Sequence, residues 1–272
     1  MNFVDSLKQK AEAAFINAVS IGTIRPFEEE DKPRLKAMVK QLSDMTGLPE
    51  RRLFVIEKDE RDAKVNYING DIAISRGTLQ QHTAEEVCGI IAHEMGHTLS
   101  PQFTCATFGT NLVKMGVLYF ASLSLFAAGS LAAEGKMKNA AECAEITVYS
   151  MIAFAALEIT SNAVSRRAEK EADAIGNNMV AVRANGSTAS RSTYFEHVLV
   201  EYNKEITTPA VIDPLFNLLS THPSYPSRIA AAEAVEKNYN PDGTIIDFSQ
   251  LPTALKNNSA FAKAANPPRR NF

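Results

Sequence analysis

One stretch constrains this chain more than any other: Thr83-Ala84-Glu85-Glu86 followed by Val87-Cys88-Gly89-Ile90-Ile91-Ala92-His93-Glu94-Met95-Gly96-His97. Thr83 with Glu86 three residues later is a capping box, and an apolar run comes directly after it, so a helix is predicted to start here. On that helix His93 and His97 stand at i and i+4, one above the other on one face. Two imidazoles so placed can grip one metal ion, with Glu94 turned toward the open side. A helix carrying two merely solvated histidines does not fit this texture. Val87, Ile90, Ile91 and Ala92 make it apolar nearly all round, hence buried. Unpartnered histidines in a buried helix are costly.

The 272 residues suffice for one large domain or two modest ones. A net charge of -3, with no basic stripe interleaved with aromatics, argues against nucleic acid as a partner. Cys88, Cys105 and Cys143 are scattered and odd in number, and read as buried free thiols in a reducing compartment. The start, Met1-Asn2-Phe3-Val4-Asp5, has an acid where a secretory signal wants bases, which predicts a cytosolic beginning.

Along the chain, an amphipathic helix is predicted over residues 3–19. The acidic run Glu28 to Asp31 reads as a solvated helix start, Pro33 as the first turn of a second helix, and Gly47 as its end. Leu53 to Ile56, Lys64 to Ile68 and Asp71 to Ser75 read as three strands of a small antiparallel meander, with Asn69-Gly70 as a two-residue hairpin turn. An exposed edge strand there can bind an extended peptide or serve only as scaffold. Beyond the metal helix, Met115 to Ala133 carries no charge and only just spans a bilayer at about 1.5 Å per residue. Ile146 to Leu157 is shorter. Both stretches are rich in Ala, Ser and Gly, as membrane helix pairs and tight soluble ones both are. A membrane hairpin and a buried soluble hairpin both fit. His82 and His197 read as surface histidines, residues 192–204 as a helix, Asn185-Gly186 as a turn, and the segment from about Ser227 to Lys237 as another helix ahead of a polar tail.

The residues His93 to His97 match the H-E-x-x-H pattern that zinc peptidases place on a helix, with the Glu as general base. A catalytic zinc takes three protein ligands and keeps one position open. An extended motif with a third histidine would need Gly at 100 and His at 103, where Ser100 and Phe103 stand. The third ligand must then come from elsewhere. Among downstream acids Glu169 stands out because Asp173 lies one turn on, where it can accept a hydrogen bond from a ligating imidazole. The two lie about 40° apart around a helix, whereas Glu171 is about 200° from Glu169, beside Lys170 and Arg167 on the solvated face. An ordinary solvated helix face is the competing reading of this segment.

His93-Glu94-Met95-Gly96-His97, then Ser165-Arg166-x-x-Glu169-x-x-Ala172-Asp173, then His222-Pro223, resembles the zinc metallopeptidases of the HtpX and CAAX prenyl protease type, over roughly residues 50–235. The resemblance implies that His93, His97 and Glu169 bind one zinc ion, that Glu94 is the general base, and that Asp173 supports the ligands. It also implies that His222 faces the active site, where it can stabilise an oxyanion, and that Arg228 is the arginine that follows that segment. The implied fold is α+β, mainly α: a zincin-like helical domain with a small antiparallel meander before the zinc helix. The expected division is 1–48 as N-terminal helices, 49–240 as the peptidase domain with an apolar helical hairpin 111–163 inserted, and 241–272 as a tail. Two departures stand out. HtpX-type enzymes carry two transmembrane helices before the zinc helix, and this chain has none there; of the family's Asn-Ala-Phe, Asn66-Tyr67-Ile68 keeps only the Asn. The expected activity is zinc-dependent endoproteolysis of protein or peptide substrates on the cytoplasmic side, with membrane contact through 115–157. The alternatives are processing of prenylated peptides, or a catalytically weak zinc-domain adaptor or chaperone, against which the intact Glu94 argues.

Overall fold

A computed structural model describes residues 23–66, 69–183, 223–240 and 244–266. The helices expected over 3–19 and 192–204, the Asn185-Gly186 turn, His197, His222 and the last six residues lie outside the described residues. The architecture is α+β and mainly helical, as predicted, and its residues fall into two compact units. The first contains the described residues up to 101, those of 169–183 and those from 224 onward; the second contains 102–168.

In the first unit, β1 (Ile24–Pro26), β2 (Leu53–Ile56), β3 (Ala63–Val65) and β4 (Ile72–Ser75) form one sheet in the order β1-β2-β4-β3. The predicted meander is replaced by a mixed sheet: β2 and β4 pair in parallel, while β1 and β3 flank them antiparallel. All four residues of β4 are buried, as suits a strand paired on both edges and covered on both faces. Pro26, which has no N–H to donate, lies in the edge strand β1. The Asn69-Gly70 pair does not make a two-residue turn. Val65 faces Ile72, the Asn66 N–H donates to the Asp71 carbonyl at 2.7 Å, and the Gly70 N–H donates to the Asn66 carbonyl at 2.7 Å, so residues 67–70 close the loop. The acidic run is likewise a turn rather than a helix start: Asp31 accepts from the Arg25 guanidinium at 2.5 and 2.7 Å.

Helix α1 (Leu35–Thr46) begins two residues after Pro33 and turns Leu35, Met38, Val39, Leu42 and Met45 inward at helical spacing. Gly47, at φ +65°, ends it in the left-handed conformation that glycine adopts most cheaply. A short unpredicted helix, α2 (Arg76–Gln81), follows β4 directly, with Ser75 Oγ accepting from the Thr78 N–H. That turn carries His82 inside. Expected at the surface, it is buried with Nδ1 3.7 Å from Glu86, and its carbonyl accepts from Lys32 at 2.7 Å. Helix α3 (Ala84–Leu99) carries the two metal-helix histidines; the apolar helices α4 (Pro101–Ala133) and α5 (Met137–Arg183) follow, and α6 is Tyr225–Glu236. The segment read as a polar tail folds into a 3-10 turn at Phe248–Gln250 and two short helices, α7 (Thr253–Lys256) and α8 (Ser259–Ala265). Leu255 and Phe261 are fully buried there, in one core with Leu35 and Leu42 of α1, Val87, Ile91 and Met95 of α3, and Ile175 and Met179 of α5. Burial of each large side chain contributes about 1.5–3 kcal/mol.

In the second unit, α4 and the first part of α5 are two helices long and apolar enough to cross a membrane, over Gly109–Ala133 and within Met137–Arg183. Their packing is inverted relative to a soluble core. Ala121, Ala128 and Ala140 are buried, while Phe126 is 76 % exposed and Met115, Tyr119 and Ile152 stand nearly as open. Small residues thus fill the buried positions and the large apolar side chains point outward, the arrangement of helices that expect apolar surroundings. Lys114 of α4 donates to Glu158 of α5 at 2.8 Å. Of the three cysteines, only Cys88 is buried as expected; all three are free thiols, with Cys105 exposed and Cys143 half-buried.

Candidate metal centre

The centre begins with the cap of α3. Thr83 Oγ1 accepts from the Glu86 N–H at 3.3 Å and the Glu86 carboxylate accepts from the Thr83 N–H at 2.6 Å, so the predicted capping box is complete. Val87, Ile91 and Met95 anchor one side of the helix in the core. His93 and His97 are also buried, with ring centroids 4.8 Å apart and planes nearly perpendicular. From α5 comes Glu169. Its Oε2 lies 3.4 Å from His93 Nε2 and its Oε1 lies 3.3 Å from His97 Nε2. The three ligand atoms lie within 4.8 Å of one another, close enough to hold one metal ion. Two imidazole nitrogens and one carboxylate fit a borderline cation with an open fourth position.

Behind this cluster is a second layer. Asp173 Oδ1 lies 2.8 Å from His93 Nδ1. An ionised Asp173 accepts there, which fixes the proton on Nδ1 and leaves Nε2 as the donor toward an ion. Arg228 of α6 grips the same carboxylate with two hydrogen bonds, Nε to Oδ2 at 2.6 Å and Nη2 to Oδ1 at 2.6 Å. Burial alone would raise the Asp173 carboxyl, but its bonds with His93 and Arg228 hold it below the usual carboxylate value. Burial likewise pushes the His93 imidazole down, and the hydrogen bonds with Asp173 and Glu169 more than reverse this, raising it to about 10. Burial raises the partly exposed Glu94 carboxyl; His93 and His97 oppose the shift, and Glu169 and Asp62 add to it. A carboxylate with a raised affinity for protons, beside a metal-binding cluster, can take up a proton and pass it on.

The sequence-derived residues His93, Glu94, His97, Glu169, Asp173 and Arg228 are thus brought together, and His222 lies outside the described residues. Arg167 and Lys170 are exposed, as expected, and Glu171 is half-buried. Two features escaped the sequence reading. Arg228 was placed only by likeness, and its partner Asp173 lies 55 residues earlier, beyond any local pattern. Gly96, Ala172 and Gly176 were passed over, although small residues on two ligand-bearing helices signal close approach.

The profile of "Peptidase family M48" matches residues 29–236. Among similar proteins, a "Protease HtpX homolog" from Desulforapulum autotrophicum is 26 % identical over 222 residues, covering 76 % of this chain and 70 % of that protein. The matched region runs from the turn before α1 to the end of α6 and so takes in both metal-binding helices and the arginine behind them. The chain belongs to peptidase family M48, a family of metallopeptidases.

Proposed function

We propose that this protein is a zinc-dependent endopeptidase that cuts proteins or peptides at the cytoplasmic face of a membrane. The observation that carries the reading is the buried cluster of His93, His97 and Glu169, with Asp173 and Arg228 ordering His93 from behind. In this reading His93, His97 and Glu169 hold zinc. When bound, the ion supplies a Lewis acid that polarises the scissile carbonyl and makes water easier to deprotonate. Glu94 removes the proton from the attacking water and delivers it to the leaving amine, and its raised proton affinity suits the second half of that task. Asp173 keeps His93 in one tautomer throughout. His222, on its likeness alone, donates to the oxyanion. An extended substrate can add as a strand to β3, which ends the sheet and packs against α3.

The membrane part of the proposal rests on the outward-facing Phe126, Tyr119 and Ile152 of the second unit and on chain order. His97 precedes both apolar helices and Glu169 follows them, so one ion requires an even number of crossings. A hairpin that enters and returns through the bilayer meets this.

The test is digestion of a proteome by the purified protein, with and without a zinc chelator, followed by recovery of the new termini. Cleavage that stops with chelator and returns with zinc is expected; cleavage indifferent to chelator would overturn the proposal.

A further inference from the structure

We propose that Gly176 is a positioning residue for the metal centre: its missing side chain lets α5 rest on the backbone of His93 at the separation that Glu169 and Asp173 need to reach that histidine. This rests on reading His93 and Glu169 as ligands. A Cβ at Gly176 would stand 2.8 Å from the His93 nitrogen, 3.0 Å from the His93 Cα and 3.0 Å from the Ala92 carbonyl carbon. The contact is reciprocal, since a Cβ at Gly96 of α3 would stand 2.7 Å from the Ala172 oxygen and 2.9 Å from the Ala172 Cα. All of these are backbone atoms in regular helices, so no side chain can swing aside to make room. Elsewhere the same addition is harmless. A Cβ at Gly109, Gly116 or Gly129 of α4 meets nothing within 4 Å.

The two contacts bracket the site. Each helix presents a glycine where the other presents a ligand-bearing turn: His93, Gly96 and His97 on α3, and Glu169, Asp173 and Gly176 on α5. The Asp173 to His93 bond of 2.8 Å belongs to the turn between Ala172 and Gly176, and the Glu169 approaches of 3.3 and 3.4 Å to the turn just before. Restoring an ordinary contact of 3.4 Å at Gly176 would open the helices by 3.4 minus 2.8, or 0.6 Å. Metal–ligand distances tolerate only about ±0.2 Å, and a functional constellation about 0.5 Å. The opening exceeds both. Nor can a defect be blamed on helix formation, because Ala is the better helix former.

The experiment is a double-mutant cycle on the full chain, with Gly176→Ala, Glu169→Gln and the pair together. Zinc affinity is read by chelator competition, and ligand geometry by the visible spectrum of the cobalt-loaded protein. Gly176→Ala is expected to weaken zinc about 10- to 100-fold, the range for groups that orient ligands, and to alter the cobalt spectrum. In the Glu169→Gln background it should add little, because the ligand it positions is already gone. Gly109→Ala should change neither reading. A Gly176→Ala protein with normal affinity beside a weakened Glu169→Gln overturns this proposal alone, as do losses that multiply in the double variant. A Glu169→Gln protein that binds zinc normally overturns the ligand reading and this proposal with it. Should Gly176→Ala fail to fold, the same cycle on Gly96→Ala decides by the same outcomes.

Discussion

Replacing Arg228 by Met separates the metal centre's support from its ligands. The Asp173 side chain is 2 % exposed and that of Arg228 is 13 % exposed, and two hydrogen bonds of 2.6 Å join them. Removing one member of a buried pair strands the other's charge and destabilises by roughly 3–5 kcal/mol. The slight exposure of Arg228 puts this pair near the lower figure, about 3 kcal/mol, which corresponds to a fall in melting temperature on the order of 10 °C. Asp173 would then keep only His93 as a countercharge, and burial would draw its carboxyl upward toward protonation. A protonated Asp173 no longer fixes the His93 tautomer, so zinc affinity should fall about 10- to 100-fold. Because the folded state holds Asp173 below its ordinary value, the stabilisation is complete above about pH 4 and is lost as pH falls further. The gap between wild type and Arg228→Met should therefore close on acidification. Thermal melts from neutral pH down to 3, with zinc titrations at neutral pH, make the test. An Arg228→Met protein as stable as wild type at neutral pH, with unchanged zinc affinity, would refute the reasoning.

Equilibrium zinc titration should show severe loss in Glu169→Gln, a loss of about 10- to 100-fold in Asp173→Asn, and none in Glu171→Gln; normal binding by Glu169→Gln with loss in Glu171→Gln would reverse the ligand assignment. His93 is raised to about 10 by Asp173 and Glu169 against the effect of burial, so zinc must displace a proton at neutral pH. Apparent affinity should therefore climb as pH rises from 7 toward 10, and a flat profile would contradict the placement of His93 among the ligands. Carbonate washing of membranes should leave the protein in the pellet, and complete release would rule out the hairpin. A reporter at Lys138 should then lie on the side opposite the metal centre.

The metal helix was legible because its signals are local: Thr83, Glu86 and the apolar run after them set its start, and imidazole chemistry makes His93 and His97 meaningful at one spacing. Glu169 followed from the demand for a third ligand and from helix geometry with Asp173. The same locality explains what was missed. Parallel pairing of Leu53 with Ile72 leaves no mark in either strand. Helix α2 has no apolar period, since it is set by a cap from Ser75, and the burial of His82 depends on it. Leu255 and Phe261 looked like stray apolar residues in a tail; what seats them is long-range, including the Asn258 side-chain bond to the Thr46 carbonyl across 212 residues. The long apolar helices were legible as apolar, but only the fold shows alanines inside and Phe126 outside.

The central claim is that Glu94 moves the proton in a peptide-bond cleavage that His93, His97 and Glu169 make possible by holding zinc. Glu94→Gln keeps the shape of the side chain and removes the base. The measurement is turnover of a peptide identified from the proteome digest, alongside bound zinc and the melting curve of the same preparation. The account predicts full zinc occupancy, an unchanged fold, and a rate reduced by at least the 10²- to 10⁴-fold that a general base contributes. Near-normal turnover by Glu94→Gln, in a preparation free of other proteases, would contradict it.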